Sequence, residues 1–404
     1  MMNRFQDIDG KPHPYLDQSG SDKKLFFEVD LAEISEDSEN LCMSPLTVLF
    51  VVYSELLMPV AICDHHRNRV SIPATDAHER REIERWTKEK MKFDMMDAQY
   101  HEYITHLGFT HMLMDGVSVC ARRNLSDRHP LLILLAPHFR YMHQINYLAT
   151  VRLLNKNGYV DQDMLISRKE MLMAVAKHNR TWRLDHHGSF KKDLRTRGVE
   201  NLPGYYFRDD AMKVHEAIQD FVDEYVKLYY GCNDDVSKDY ELQDFRTELT
   251  KQRNLNGTGG CGMQGVPEFE NIENVVTTLT SFIFICSVEH SAANFPQFDH
   301  YGYPPNHPAI LDMAEHKDVE EGIDVLMPTT KQFFSTLSIM KILTMVMTNK
   351  LGTYEKEYWD AMDRSAKGII ERIPLEIEPD LNKRLSHRLP QEREPDLNKR
   401  LSHR

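Results

Sequence analysis

The sequence predicts a mainly α protein: one large helical domain with a small β element at its N-terminal end. Two observations predict it. Runs of β-branched apolar residues are confined to residues 25–63, and from about Thr75 onward apolar residues recur at helical spacing between polar starts and glycine stops. Residues 1–24 are polar and read as a linker or tail, with no apolar stretch of the kind a secretory signal needs. LFFEV, LTVLFVVY and LLMPVAIC then read as strands, the last two meeting across Ser54-Glu55 as a hairpin. ATDAHERREIERW offers Thr75 or Asp76 as an N-cap for a helix that runs to about Arg123. HPLLILLAPHFRYMHQINYLATVRLL reads as a proline-broken loop followed by another helix. In DDAMKVHEAIQDFVDEYVKLYYG, Val214, Ile218, Phe221, Val222 and Tyr225 share one face and Gly231 marks the stop. A glycine-rich loop, NLNGTGGCGMQGVPEF, precedes a strongly apolar helix from about Ile272 to Phe295. Two further helices are expected, Thr329 to Thr348 and Tyr354 to Glu371. The expected organisation is thus a tail over 1–24, a helical domain over 25–377, and a distinct tail over 378–404.

Composition removes several classes of function. The chain has 404 residues, 41% hydrophobic and 27% charged, with a formal net charge of −13. Such an acidic balance argues against a nucleic-acid partner. The six cysteines show no paired spacing and several lie in apolar runs, which points to reduced thiols and a cytoplasmic protein. The longest apolar run, VVTTLTSFIFICSV, falls short of the roughly 18 residues of a membrane span.

Two local patterns invite over-reading. The loop glycines 257, 259, 260, 262 and 265 carry no GxxxxGK[ST], so ordinary loop use is favoured over phosphate binding. HEYITH imitates a zinc-protease HExxH, but His101 and His106 are five apart where that motif needs four.

The informative polar residues are two separated pairs. His106 and His111 are also five apart, which leaves them off a common face of an α-helix but brings them together on a π-turn. In a chain with 20 histidines this pair alone does not exceed chance. His290 and Asn294 are four apart and interrupt the apolar FIFICSVEHSAANF, so they share a face without special geometry. Either they are core residues with local hydrogen-bond partners or they converge on a shared one, such as a metal ion.

Read continuously, YHEYITHLGFTHMLMDGVSVCARRNLSDRHPLLILLAPHFRYMHQIN resembles the catalytic domain of animal lipoxygenases. The resemblance continues through GYYFRDDA, GCGMQGVP and EHSAANFPQFDHYGYPPNHP in the family's order, and covers about Lys24 to Tyr358. WRLDHHG, RGVENLPGYYFRDD and GTGGCGMQGVP bring it nearest to invertebrate lipoxygenases, including the lipoxygenase half of coral allene oxide synthase fusions.

The resemblance implies a lipoxygenase-type helical catalytic domain and one non-haem iron per chain. It implies His106, His111 and His290 as imidazole ligands and Asn294 as a weaker oxygen ligand. Glu102 and Gln297 take the positions of polar groups that orient the ligands. Leu107, Ile145, Ala149 and Leu153 take positions along the substrate and oxygen pocket, Ala149 at the place where Ala accompanies S products and Gly accompanies R products. The implied reaction inserts O₂ into the cis,cis-1,4-pentadiene of a polyunsaturated fatty acid, linoleate or arachidonate, to give a hydroperoxide.

Three features depart from the family pattern. The chain ends in Arg404 rather than in an apolar residue whose terminal carboxylate joins the iron. EPDLNKRLSHR occurs twice, at 378–388 and 394–404. No counterpart of the membrane-targeting β-barrel domain is expected, so membrane association is expected to be weak or absent. TDAHERREIERWTKEKMKF is more charged than the matching family region. Two readings follow: an iron dioxygenase, or an impaired relative that binds fatty acid or a partner without turnover.

Overall fold

The computed structural model describes residues 25–35, 44–53, 55–73, 80–252, 259–311, 326–345, 351, 354 and 356–369. Both expected tails, the Thr75/Asp76 cap, Ser54, Gly257 and the ends of the last two expected helices lie outside them.

The β element is larger than a hairpin. Strands β1 (Phe26–Asp30), β2 (Leu46–Tyr53), β3 (Leu56–Asp64) and β4 (Arg69–Ser71) form one antiparallel sheet in sequence order. β2 and β3 pair from Tyr53↔Leu56 to Leu46↔Asp64, with the register shifting between Leu49 and Phe50. A shift of one residue reverses which face the side chains meet. Leu46, Val48 and Ile62 are thereby buried against the helical body, while Leu49, Val51, Val60 and Ala61 form a second buried cluster within the sheet. β4, the strand missing from the sequence reading, ties the sheet to the helices through Arg69. Its guanidinium reaches the buried Glu89 carboxylate at 2.8 Å, and Lys92 reaches the same oxygen at 3.2 Å. The charge-rich segment after residue 75 therefore includes a carboxylate that two cations neutralise at the sheet–helix junction.

The first long helical stretch begins at Arg80 and continues to Asn124, but not as one α-helix. Arg80–Tyr100 is α, His101–Leu113 is π, and Met114–Asn124 is α again. The following segment breaks where the prolines predict. Pro130–Leu135 is a short α-helix with His129 as its cap, Ala136–Phe139 is a 3₁₀ turn, and Tyr141 takes φ 59° to start helix Met142–Ala149. A second π segment, Thr150–Leu154, follows.

The core lies between helix Tyr206–Tyr229 and helix Ile272–Phe284. The first buries Ile218, Phe221, Val222, Tyr225 and Val226; the second buries nearly all of its length from Val275 onward. Each fully buried large apolar side chain contributes roughly 1.5–3 kcal/mol before entropy is counted. Helices Arg168–Thr181, Phe190–Thr196 and Tyr240–Thr250 complete the body and were not anticipated from the sequence. The glycine-rich segment is a packing loop: Gly262 and Gly265 both take φ 73°, Met263 and Val266 are buried, and Gln264 bridges to Arg183. A side chain at position 265 would collide with Asp185, so glycine is required there by both conformation and space.

The apolar run of the second core helix extends further than the sequence reading allowed. Ile285–Glu289 is a third π segment and His290–Asn294 resumes the α form, so Ile272–Tyr301 is the one described stretch long and apolar enough to cross a membrane. In this fold it packs in the core against helix Tyr206–Tyr229.

Candidate metal centre

The first π segment decides the site. Five residues on an α-helix turn through about 140° and separate two side chains, whereas π winding brings them back together. His106 and His111 accordingly meet, with Nε2 atoms 3.2 Å apart. His290, from the core helix, places its Nε2 2.9 Å from that of His111. One ring nitrogen from each of the three histidines lies within 4.8 Å of the other two. Residues 179 positions apart in the chain thus converge because two helices, each with a π segment, pack side by side.

The same winding stacks His101 on His106, with ring centroids 6.3 Å apart. Spacing alone therefore did not separate His101 from a metal site; its hydrogen bonds do. Its Nδ1 pairs with the Tyr301 hydroxyl at 2.6 Å and its Nε2 with the Ala293 carbonyl at 2.9 Å, which clips the two helices together.

Behind the cluster the other ring nitrogens are held. His111 Nδ1 donates to Asn146 Oδ1 at 2.8 Å, and Asn146 donates its amide N–H back to the His111 carbonyl at 3.4 Å. This fixes the Nδ1–H tautomer and leaves Nε2 of His111 as a bare lone pair. His106 Nδ1 lies 3.3 Å from a Glu102 oxygen and 3.0 Å from the Gln297 amide nitrogen. Gln297 is fully buried and its Oε1 has no hydrogen-bond partner. Turning that amide end over lets Oε1 accept from His106 Nδ1–H, which would leave Nε2 of His106 as a second lone pair facing the first. Two lone pairs at 3.2 Å repel unless a cation sits between them. The donor set therefore fits a metal ion that accepts imidazole nitrogen. Asn294, one turn beyond His290, is buried and gives its amide N–H to the Leu343 carbonyl at 2.9 Å, which reserves its oxygen for another partner.

Burial sets the charge state. It pushes His106 down to about 4; His111 is also about 4, with His106 adding to the effect of burial. His290 falls to about 2, through burial and its two imidazole neighbours. Glu102 moves the other way, to about 7, because burial outweighs the attraction of His101. These histidines stay neutral as the pH falls, so protons do not compete with a metal. Cobalt(II) affinity is expected to change by less than about threefold between about pH 7.5 and 5.5, where three ordinary imidazoles of pKa about 6.5 would lose on the order of 10³. Titration of apo protein with Co²⁺ at the two pH values checks this, and a thousandfold drop would contradict it. The unfolded chain does take up protons below about 6.5, so the same three groups weaken the fold as the pH falls toward 4.

A cavity of about 490 Å³ opens beside the cluster. His111 and His290 line it with Ile145, Phe207, Ala211 and Val214. Its volume suits a small or medium apolar ligand. Ile145 is thus beside the cluster, whereas Leu107, Ala149 and Leu153 lie outside the lining of this cavity and are half-buried. Leu107 and Leu153 pack at the edge of the core beneath the sheet. Asn146 was given no role from the sequence, because its partnership with His111 spans 35 positions.

A helical body with three neutral histidines around one point beside an apolar cavity defines a candidate mononuclear metal protein. The chain belongs to the lipoxygenase family, whose model matches residues 30–358. It is 31% identical over 358 residues to the allene oxide synthase-lipoxygenase protein of Plexaura homomalla, covering 85% of this chain and 33% of that protein. It is similar in structure to a calcium-dependent 11R-lipoxygenase, with TM-score 0.80 and 28% identity over 91% of this chain and 56% of that one. A coral 8R-lipoxygenase gives TM-score 0.78 and 28% identity over 90% and 56%. The chain thus spans a third of the curated relative and just over half of the solved structures. Lipoxygenases are non-haem iron proteins, and the histidine cluster is the place in this chain that could hold a metal.

Proposed function

We propose that this chain is an iron dioxygenase acting on polyunsaturated fatty acids, with His106, His111 and His290 as iron ligands and Asn294 as a weaker oxygen ligand. The observation that carries the reading is the convergence of three neutral imidazoles beside a mainly apolar cavity. Iron, when bound there, supplies the one-electron chemistry that opens a pentadiene to O₂. The protein's own contribution is positioning. Apolar side chains from helices Met142–Ala149 and Tyr206–Tyr229 receive the acyl chain, and Ile145 limits how closely it approaches the cluster. Glu102 and Gln297 hold His106 from behind, and Asn146 holds His111.

The test is iron content per chain together with formation of conjugated-diene hydroperoxide from arachidonate, followed by ultraviolet absorbance. Fatty-acid binding without iron or turnover would favour the second reading, a relative that binds without catalysing. Absence of both sinks the proposal.

Ale149 is not needed for binding in this reading; its role is stereochemical, and the residue concerned is Ala149. It ends helix Met142–Ala149 one turn beyond Ile145. By the family pattern an alanine there favours an S hydroperoxide. Ala149→Gly is expected to shift product toward R, since one methyl group discriminates by about 1–3 kcal/mol in a tight pocket. Chiral chromatography of the two products decides, and identical stereochemistry removes Ala149 from the site.

A further inference from the structure

Helix Met142–Ala149 carries Asn146, the residue that fixes the tautomer of His111, yet it has little apolar anchorage. Met142 is its one fully buried residue, and Tyr147 and Leu148 are 69% and 54% exposed. It starts from a left-handed Tyr141 and runs directly into a π segment. Something other than a hydrophobic face must hold it in register.

Polar contacts do so in two rungs. The upper rung is Asn146 on His111. The lower rung is His143, one turn earlier on the same helix. Its Nδ1 pairs with the Asp115 carboxylate and its Nε2 lies 3.1 Å from the Ser118 hydroxyl. Asp115 follows His111 by four residues, one turn along the facing helix, so the rungs are matched turn for turn. The connectivity Asp–His–Ser is that of a hydrolytic triad, but Ser118 has no solvent exposure and cannot meet an acyl substrate. The arrangement is suited to holding.

We propose that His143 is a positioning residue: through Asp115 and Ser118 it fixes helix Met142–Ala149 against the helix that bears His106 and His111, and so keeps Asn146 on His111 Nδ1. The proposal rests on the metal-centre reading above for its effect on the ligand, though not for the clip itself. A group that acts behind a metal ligand is worth about 10–100-fold in affinity.

The experiment uses the full chain, Co²⁺ as probe, and His143→Ala, His143→Asn, Asn146→Ala and the double variant. Co²⁺ affinity and the visible absorption of the bound ion report the ligand geometry, and hydrogen–deuterium exchange over residues 142–149 reports the clip without metal. His143→Ala is expected to weaken Co²⁺ binding by about tenfold, alter the visible bands and speed exchange over residues 142–149. His143→Asn, which retains a donor toward Asp115, is expected to recover most of the loss. Coupled rungs make the double variant no worse than Asn146→Ala alone, whereas additive losses overturn the proposal. Wild-type affinity, bands and exchange in His143→Ala overturn it as well. If the wild-type chain takes no Co²⁺, the metal-centre reading fails and exchange alone judges the clip: faster exchange in His143→Ala upholds it, unchanged exchange rejects it.

Discussion

His290→Ala is expected to abolish tight metal binding. His290 is the only one of the three clustered histidines that comes from the core helix, and its Nε2 closes the cluster at 2.9 Å from that of His111. Without it two imidazoles from one π turn remain, a bidentate patch rather than a site. The loss should be on the order of 100-fold or more, because even groups that only orient a ligand are worth 10–100-fold. Metal content after dialysis measures it, with His66→Ala, an exposed histidine away from the cluster, as the control. Equal metal in both variants would mean that the ion is held elsewhere.

Phe284→Ala is expected to be the most damaging packing change near the site. Phe284 has no exposure, and its ring lies 4.8 Å from that of Phe190 and 5.1 Å from that of His215. Truncating such a ring leaves a cavity and costs about 3–5 kcal/mol. That is a large part of the roughly 5–15 kcal/mol by which domains are stable. Phe284 is also the last α residue before the π segment that precedes His290, so the loss should loosen the cluster as well as the core. Urea unfolding of apo protein gives the first quantity. A shift corresponding to less than about 1 kcal/mol would show that the core closes around the gap.

The sequence carried much of this architecture, but unevenly. The ligand spacings were readable because each is a local count: five residues for His106 and His111, four for His290 and Asn294. The strands β1 to β3 were readable from β-branched runs, whereas β4 has only three residues and exists by pairing with β3. Helix Arg168–Thr181 was missed although Ser167 and Glu170 form a capping box, a local signal that was there to be read. Tyr240–Thr250 was missed because its buried positions, Leu242, Phe245 and Leu249, are too few to stand out among polar neighbours. The π segments at Thr150–Leu154 and Ile285–Glu289 left no trace in residue type. Nor could the rungs formed by Asn146 and His143 be seen, since each joins residues brought together by packing.

The π winding has a consequence for how this site tolerates change. Losing one residue from a π stretch returns it to the α form and rotates everything beyond it by about 100°. A deletion between Ile285 and Glu289 would leave every ligand in the gene and yet swing His290 away from its partners. Substitution and deletion therefore threaten this protein differently: the one alters a side chain, the other alters the phase of a helix. Among relatives, the length of the segment leading into each histidine should be guarded as closely as the histidine itself, even where the intervening residues vary freely.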